Sequence, residues 1–158
     1  MLAIVISLIV GATLLILLSY SSDNMAMTQS KVSIQDEAKD VMNHINSTGM
    51  EGSYATCSAI GAAIPTLTIK NEDTSDPARK EVIYWQIGEK LYFSPTKDVN
   101  VKKLKADDMH LLGEQVADFQ PKIKVNPYTL KLMIDVTLKM KNKDVAFNTN
   151  YLIYLRNQ

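Results

Sequence analysis

Charge is missing from the first eighteen residues of this 158-residue chain, Met1 to Leu18, which read MLAIVISLIVGATLLILL. The first basic side chain is Lys31. Glycine is missing between Gly11 and Gly49, and proline before Pro65. Histidine occurs only at 44 and 110, and cysteine only at 57. Each scarcity excludes something. The single Cys57 cannot form an intramolecular disulfide, so the redox compartment cannot be read from it. A lone thiol of this kind reads as a buried small hydrophobe. His44, His110 and Cys57 leave little for acid–base or nucleophilic work. No glycine-rich phosphate loop and no Gly-x-Ser-x-Gly elbow is present. Asp107, Asp108 and His110 come nearest to a metal set, but without a second cluster they read as solvated loop residues. No catalytic, cofactor or metal site is expected, and the chain reads as a non-enzyme.

An uncharged apolar run of this length is enough to span a bilayer as a helix, at about 1.5 Å per residue against roughly 30 Å of hydrocarbon. It lacks the form of a secretory signal. No basic region leads it, and Ser19-Tyr20-Ser21 is a poor cleavage site because of the order of sizes. With nothing basic flanking the run, positive charge sets no orientation. Beyond Leu18 the composition turns polar, yet nothing breaks a helix. Ile34, Ala38, Val41 and Ile45 form an apolar stripe at helical spacing, with Val32 and Met42 beside it and Asp36, Glu37, Lys39, Asp40 and Asn43 on the other faces. Asn46-Ser47-Thr48-Gly49 reads as the stop. One helix is therefore expected from about Leu2 to Asn46, roughly 65 Å long. Within its apolar half, Ala3, Ser7 and Gly11 recur every fourth residue, a spacing at which small side chains let helices approach closely.

The remainder alternates. Glu51 to Ala63 is weakly patterned and reads as a loop. Pro65 to Lys70 reads as a strand, followed by a polar loop from Asn71 to Pro77. Glu81 to Ile87 and Lys90 to Phe93 flank Gly88-Glu89 as a hairpin with a two-residue turn. Trp85, Tyr84, Tyr92 and Phe93 within it read as cross-strand packing rather than an aromatic binding strip. Ser94 to Asp108 is uncertain. Val116 to Val125 reads as a strand that Pro121 confines to a sheet edge. Leu130, Leu132, Ile134, Val136, Leu138 and Met140 alternate with Lys131, Met133, Asp135, Thr137, Lys139 and Lys141, and after a turn at Asn142 to Asp144 the alternation resumes from Val145 to Leu155. One wet and one covered face mark an antiparallel sheet, and the helix stripe is its cover. The expected fold is α+β: a long N-terminal helix on a small antiparallel sheet. Residues 1–20 form a transmembrane or filament-core helix, 21–48 its amphipathic continuation, and 49–158 a globular sheet domain.

Formal charge is zero overall but uneven. Asp23 to Ala55 holds two Lys against five acids, and Val101 to Gln158 ten basic residues against six acids. The excess in the last third reads as a solvated Lys-rich sheet face. An anionic partner such as DNA has only that excess behind it.

A long helix, apolar and then amphipathic, followed by a small antiparallel sheet domain, resembles the type IV pilins and pseudopilins. In that family a short basic leader and a Gly-Phe-Thr-Leu-Ile/Val-Glu segment precede the apolar helix. Met1 to Leu8 is similar to what directly follows the glutamate. The leader, the processing glycine and the glutamate do not appear, and a start placed late at Met1 is the expectation that accounts for this. The order of the later segments resembles the minor pseudopilins. These segments are Tyr84-Trp85-Gln86-Ile87 with Lys90-Leu91-Tyr92-Phe93, then Leu112 to Phe119, then a terminal hairpin closing on Tyr154-Leu155-Arg156-Asn157. The resemblance implies a minor structural subunit of a type IV pilus, competence or type II secretion-like filament. Its partners would be other pilin or pseudopilin subunits, the inner or cytoplasmic membrane and, indirectly, an assembly platform and its ATPase. It implies a single-pass membrane protein with an extracytoplasmic C-terminal domain, found at the cell surface after assembly. The other reading is a membrane-anchored extracytoplasmic binding or sensor domain, with the aromatic hairpin as its ligand surface.

Overall fold

The computed structural model describes residues 2–58, 64–72, 80–95, 109–142 and 145–156. Asp107 and Asp108, most of the loop from Asn71 to Pro77, most of the stretch from Ser94 to Asp108, part of the turn at Asn142 to Asp144, and Asn157 lie outside the described residues.

One helix, α1, runs from Leu2 to Glu51 without interruption. Its fifty residues make a rod of roughly 75 Å. Two threonines inside it are satisfied by the helix itself. Thr13 donates to the Ile9 and Val10 carbonyls, and Thr28 to the Asn24 carbonyl. The stop expected at Asn46 to Gly49 does not act. Thr48 turns its hydroxyl back onto the His44 carbonyl at 3.0 Å, a bond made within the helix. Gly49 is buried inside the last turns, because a Cβ there would lie 2.7 Å from Ile153 Cγ2. The glycine thus permits a close approach of helix to sheet rather than ending the helix. The chain leaves α1 at Gly52, whose N–H bonds the Gly49 carbonyl at 3.0 Å.

Eight strands follow, divided between two antiparallel sheets. The first holds β1 (Tyr54–Cys57), β2 (Thr66–Lys70), β3 (Glu81–Ile87), β4 (Lys90–Pro95) and β5 (His110–Gly113) in chain order. The second holds β6 (Val116–Val125), β7 (Leu132–Asn142) and β8 (Val145–Tyr154), also in chain order. β1 lies where a loop was expected, and its pairing with β2 makes it a strand. The β3–β4 hairpin has the expected register, Ile87 opposite Lys90, and Gly88 supplies the positive φ of 59° its turn requires. Pro121 sits on an edge strand as expected. Leu130 was expected to head the apolar face of β7, but it lies before that strand, exposed, with φ 56°. The reversal after Asn126-Pro127 carries the chain through Leu130 before the ladder begins.

The core joins both sheets to α1. Ile34, Ala38, Val41, Met42 and Ile45 are buried with Leu67, Ile69 and Tyr84 from the first sheet and Ile134, Val136, Leu138 and Ile153 from the second. Val32 is half exposed and stands outside the stripe. Two polar devices align the layers. Gln86 on β3 donates to the Val116 carbonyl at 2.9 Å and accepts the Phe119 N–H at 2.9 Å. Glu37 on α1 accepts the backbone N–H groups of Glu114 and Gln115 in the β5–β6 turn. On the face of the second sheet away from α1, Lys124 pairs with Asp135 at 2.6 Å and Lys139 with Asp118 at 2.8 Å.

Candidate functional site

The apolar start of α1 stands clear of the rest of the described residues. From Ile4 to Leu18 its large apolar side chains are all more than half exposed, and no residue of the apolar window is buried. This is the one helix among the described residues long and apolar enough to cross a membrane. Those side chains point in every direction around the axis, so a single facing sheet could not cover them. A surrounding solvent of lipid, or a ring of other apolar helices, could.

Ala3, Ser7 and Gly11 lie on one face of this half, at four-residue spacing. Ala3 and Ser7 are exposed, and with Ile4 and Leu8 they line a shallow depression. Gly11 is partly exposed, and a Cβ built on it would meet nothing within 4 Å. The face is thus free to receive a neighbour at close range.

The folded half offers less. At the other end of α1 a cavity of about 250 Å³ is lined by His44, Ser47, Thr48, Glu51, Ile69, Asn71, Val82, Phe93 and Pro95. His44 belongs to a closed hydrogen-bond chain. Thr48 donates to the His44 carbonyl, so its oxygen accepts from Tyr84 at 2.8 Å. Tyr84 having given its proton to Thr48, His44 Nδ1 must donate to the Tyr84 oxygen, 3.1 Å away. That order gives each of the three contacts one donor and one acceptor, with a proton on His44 Nδ1. Burial lowers the His44 pKa below its ordinary value and raises that of the Tyr84 hydroxyl. Spacing in the sequence could not have signalled this network, because its partners are far apart in the chain.

The hairpin aromatics do not form one strip. Tyr84 and Phe93 share the face toward α1, while Trp85 and Tyr92 stack 6.0 Å apart on the opposite face. His110 lies on β5 with its ring 5.1 Å from that of Phe93. Among the described residues no three His, Cys, Asp or Glu side chains gather as a metal set would. Cys57 is half-buried at the end of β1.

No protein-family model, curated protein or solved structure matches this chain.

Proposed function

We propose that this chain is a filament subunit of the type IV pilin and pseudopilin kind, of the minor class. Its apolar helix half is stored in a membrane and then packed among the helices of neighbouring subunits. One observation carries the reading: the same unbroken helix is bare and apolar all round over residues 3–18, yet anchored to a folded domain by a buried stripe over 34–45. A plain tether needs no rigid continuity with its domain. A subunit that must transmit its position in a helical bundle to a surface domain does.

On this reading the protein acts by association rather than catalysis. Burying apolar surface releases about 25 cal/mol per Å², and the exposed half of α1 supplies that surface. Ala3, Ser7 and Gly11 form the close-packed seam. The domain faces outward from the membrane, and an ATPase-driven platform extracts the subunit. The test is fractionation of the host. The protein is expected both in the membrane and, at low abundance, in filaments sheared from the surface, and its deletion should alter those filaments. Recovery only as a membrane-retained monomer, with normal filaments in the deletion strain, would overturn the reading. It would favour the tethered binding domain, for which the cavity beside His44 is the specific observation.

A further inference from the structure

We propose that the free edge of β8 takes an added strand: an extended, uncharged segment of a different polypeptide, alternating apolar and polar, paired to β8 through its main chain. This edge is the same in a filament subunit and in a tethered domain.

In an antiparallel ladder, successive residues turn their N–H and C=O groups alternately toward the strand on one side and toward the other. Two bonds fix that phase in the second sheet. Lys141 N–H bonds the Gln115 carbonyl, at the entry to β6, at 2.9 Å. The odd residues of β7 therefore face β6, and the even ones face β8. Phe119 on β6 stands opposite Leu138 and turns its N–H the other way, out of the sheet to Gln86, as the same phase requires. Met140 pairs with Phe147 and Leu138 with Thr149, so the odd residues of β8 answer the even ones of β7. Ala146, Asn148, Asn150, Leu152 and Tyr154 are left with their N–H and C=O groups turned away from β7. All of them are exposed, and no backbone group among them meets a further partner among the described residues.

The other edges of the two sheets are closed or short. On β6, Gln86 takes the Val116 carbonyl and the Phe119 N–H, and Pro121 has no N–H to offer. β1 and β5, at the ends of the first sheet, have four residues each. β8 has ten residues, roughly 33 Å of edge. It carries no proline and no charged side chain, and its register with β7 runs without a bulge. Short length, charge, proline and bulges are the devices that blunt an edge against pairing, and β8 has none of them.

The edge dictates the chemistry of its occupant. Donors and acceptors repeating at strand spacing are matched by another extended backbone. Phe147 and Tyr151 share the face toward α1, with Tyr151 41 % exposed, and would flank apolar side chains of the added strand. Asn148 and Asn150 lie on the opposite face and would flank polar ones. With no charge on β8, no counter-charge is called for. A second copy of β8 is not the occupant. Identical edges that pair across a two-fold axis run antiparallel. α1 runs the same way as β8, since Gly49 approaches Ile153 while Asp23 and Ser33 share a groove with Val145. Such a pair would send the two apolar helix halves out at opposite ends, and one bilayer could not receive both. The added strand therefore belongs to a different chain.

The experiment is amide hydrogen exchange on the full chain in detergent, with a synthetic probe strand of four Thr-Val repeats between terminal lysines. Without the probe, the amides of Asn148, Asn150 and Leu152 should exchange far faster than those of Phe147, Thr149 and Tyr151. Rising probe concentration should slow the even set by about tenfold and leave the odd set as it was. The same peptide N-methylated throughout has no N–H to give and should slow neither set. Asn150→Pro removes one outward N–H and no bond to β7, and should weaken probe binding about tenfold. Even amides as slow as the odd ones in the chain alone would overturn the proposal. So would a probe that slows nothing, equal slowing by the N-methylated peptide, or unweakened binding to Asn150→Pro. Slowing of the even set on concentrating the chain without any probe would show pairing between copies and would likewise overturn it.

Discussion

Between Ile4 and Leu18, α1 carries eleven large apolar side chains, all more than half exposed; between Ile34 and Ile45 it carries five apolar side chains, all buried. The backbone is one continuous helix across both regions, so local conformation does not separate them. Arrangement does. In the later region apolar residues keep to one stripe, which a sheet can cover. In the earlier one they go all the way round, which no single layer can. Full burial of a large aliphatic side chain is worth roughly 1.5–3 kcal/mol, so leaving this half bare in water forgoes well over 10 kcal/mol. That is comparable to the whole stability of a small domain. The bare half therefore demands an apolar environment that its own domain cannot provide, and the striped half already has one.

The sharpest way to break this comparison is to place a charge in each region. Val136→Asp puts a carboxylate beneath the helix stripe, where Val136 is fully buried. It should destabilise the domain by about 3 kcal/mol or more. Thermal melting followed by circular dichroism checks it, and an unchanged midpoint would mean that this face is not core. The same charge at Leu15 should leave domain melting as it was and instead prevent membrane insertion. A fragment beginning at Val32 keeps the whole stripe, and should be soluble and monomeric by analytical ultracentrifugation.

A second, smaller effect comes from one substitution made at a comparable residue. Gly49→Ala adds a Cβ 2.7 Å from Ile153 Cγ2, and the β-branched isoleucine has little freedom to withdraw. Overpacking costs about 1–3 kcal/mol, and the better helix propensity of alanine returns about 1 kcal/mol. The net expectation is a loss of about 1 kcal/mol, read as a lower urea midpoint at unchanged slope. A gain would show that helix and sheet are not in close contact there.

These two regions also mark how much was legible. The uncharged run, the stripe at 34, 38, 41 and 45, the β3–β4 hairpin and the alternation of β7 and β8 are local patterns with the period of their element. What escaped depends on residues distant in the chain. Gly49 looks like a helix stop until Ile153 is seen pressing on it. Tyr54 to Cys57 has no strand pattern of its own and becomes β1 by pairing with β2. Leu130 fits the even-numbered alternation, yet the turn anchored by Asn126 turns it out to solvent. The alignment of the two sheets and the helix draws on Gln86 and Glu37, polar residues whose backbone partners lie far along the chain. Of the candidate site, the small-residue face at Ala3, Ser7 and Gly11 was visible as spacing. The cavity beside His44 was not, since its lining comes from separate segments of the chain.

Acidification should produce a smaller change still, confined to the striped half. Burial lowers the His44 pKa, so the folded state favours neutral imidazole more than the unfolded chain does. The unfolded chain therefore binds a proton first, at about pH 6.5. Stability from this group is complete above that pH and declines as pH falls through it toward the lower folded pKa. Tyr84, its hydroxyl pKa raised, remains neutral throughout, while Glu51 shares the cavity and His110 packs across Phe93. Melting midpoints between pH 7.5 and 5 should fall in the native chain and fall less in His44→Gln. An equal slope in the variant would show that His44 does not carry the effect.

Gly11→Leu should have the least effect on the fold and the most specific effect on assembly. No atom lies within 4 Å of a Cβ at Gly11, so the larger side chain meets no obstacle in the isolated subunit. Leucine is also the better helix former, and the buried stripe begins more than twenty residues away. The domain should melt within about 0.5 kcal/mol of native stability. Membrane insertion should persist, because the substitution adds apolar surface to an apolar run. Only where another helix approaches the Ala3, Ser7 and Gly11 face does the added bulk cost anything, since backbones kept close by small residues are forced apart. Recovery from sheared filaments should therefore drop relative to Gly11→Ala while total membrane-bound protein stays constant. Equal recovery of the two variants would show that this face meets lipid or a loosely packed neighbour, and the close-packed seam would have to be sought on another side of the helix.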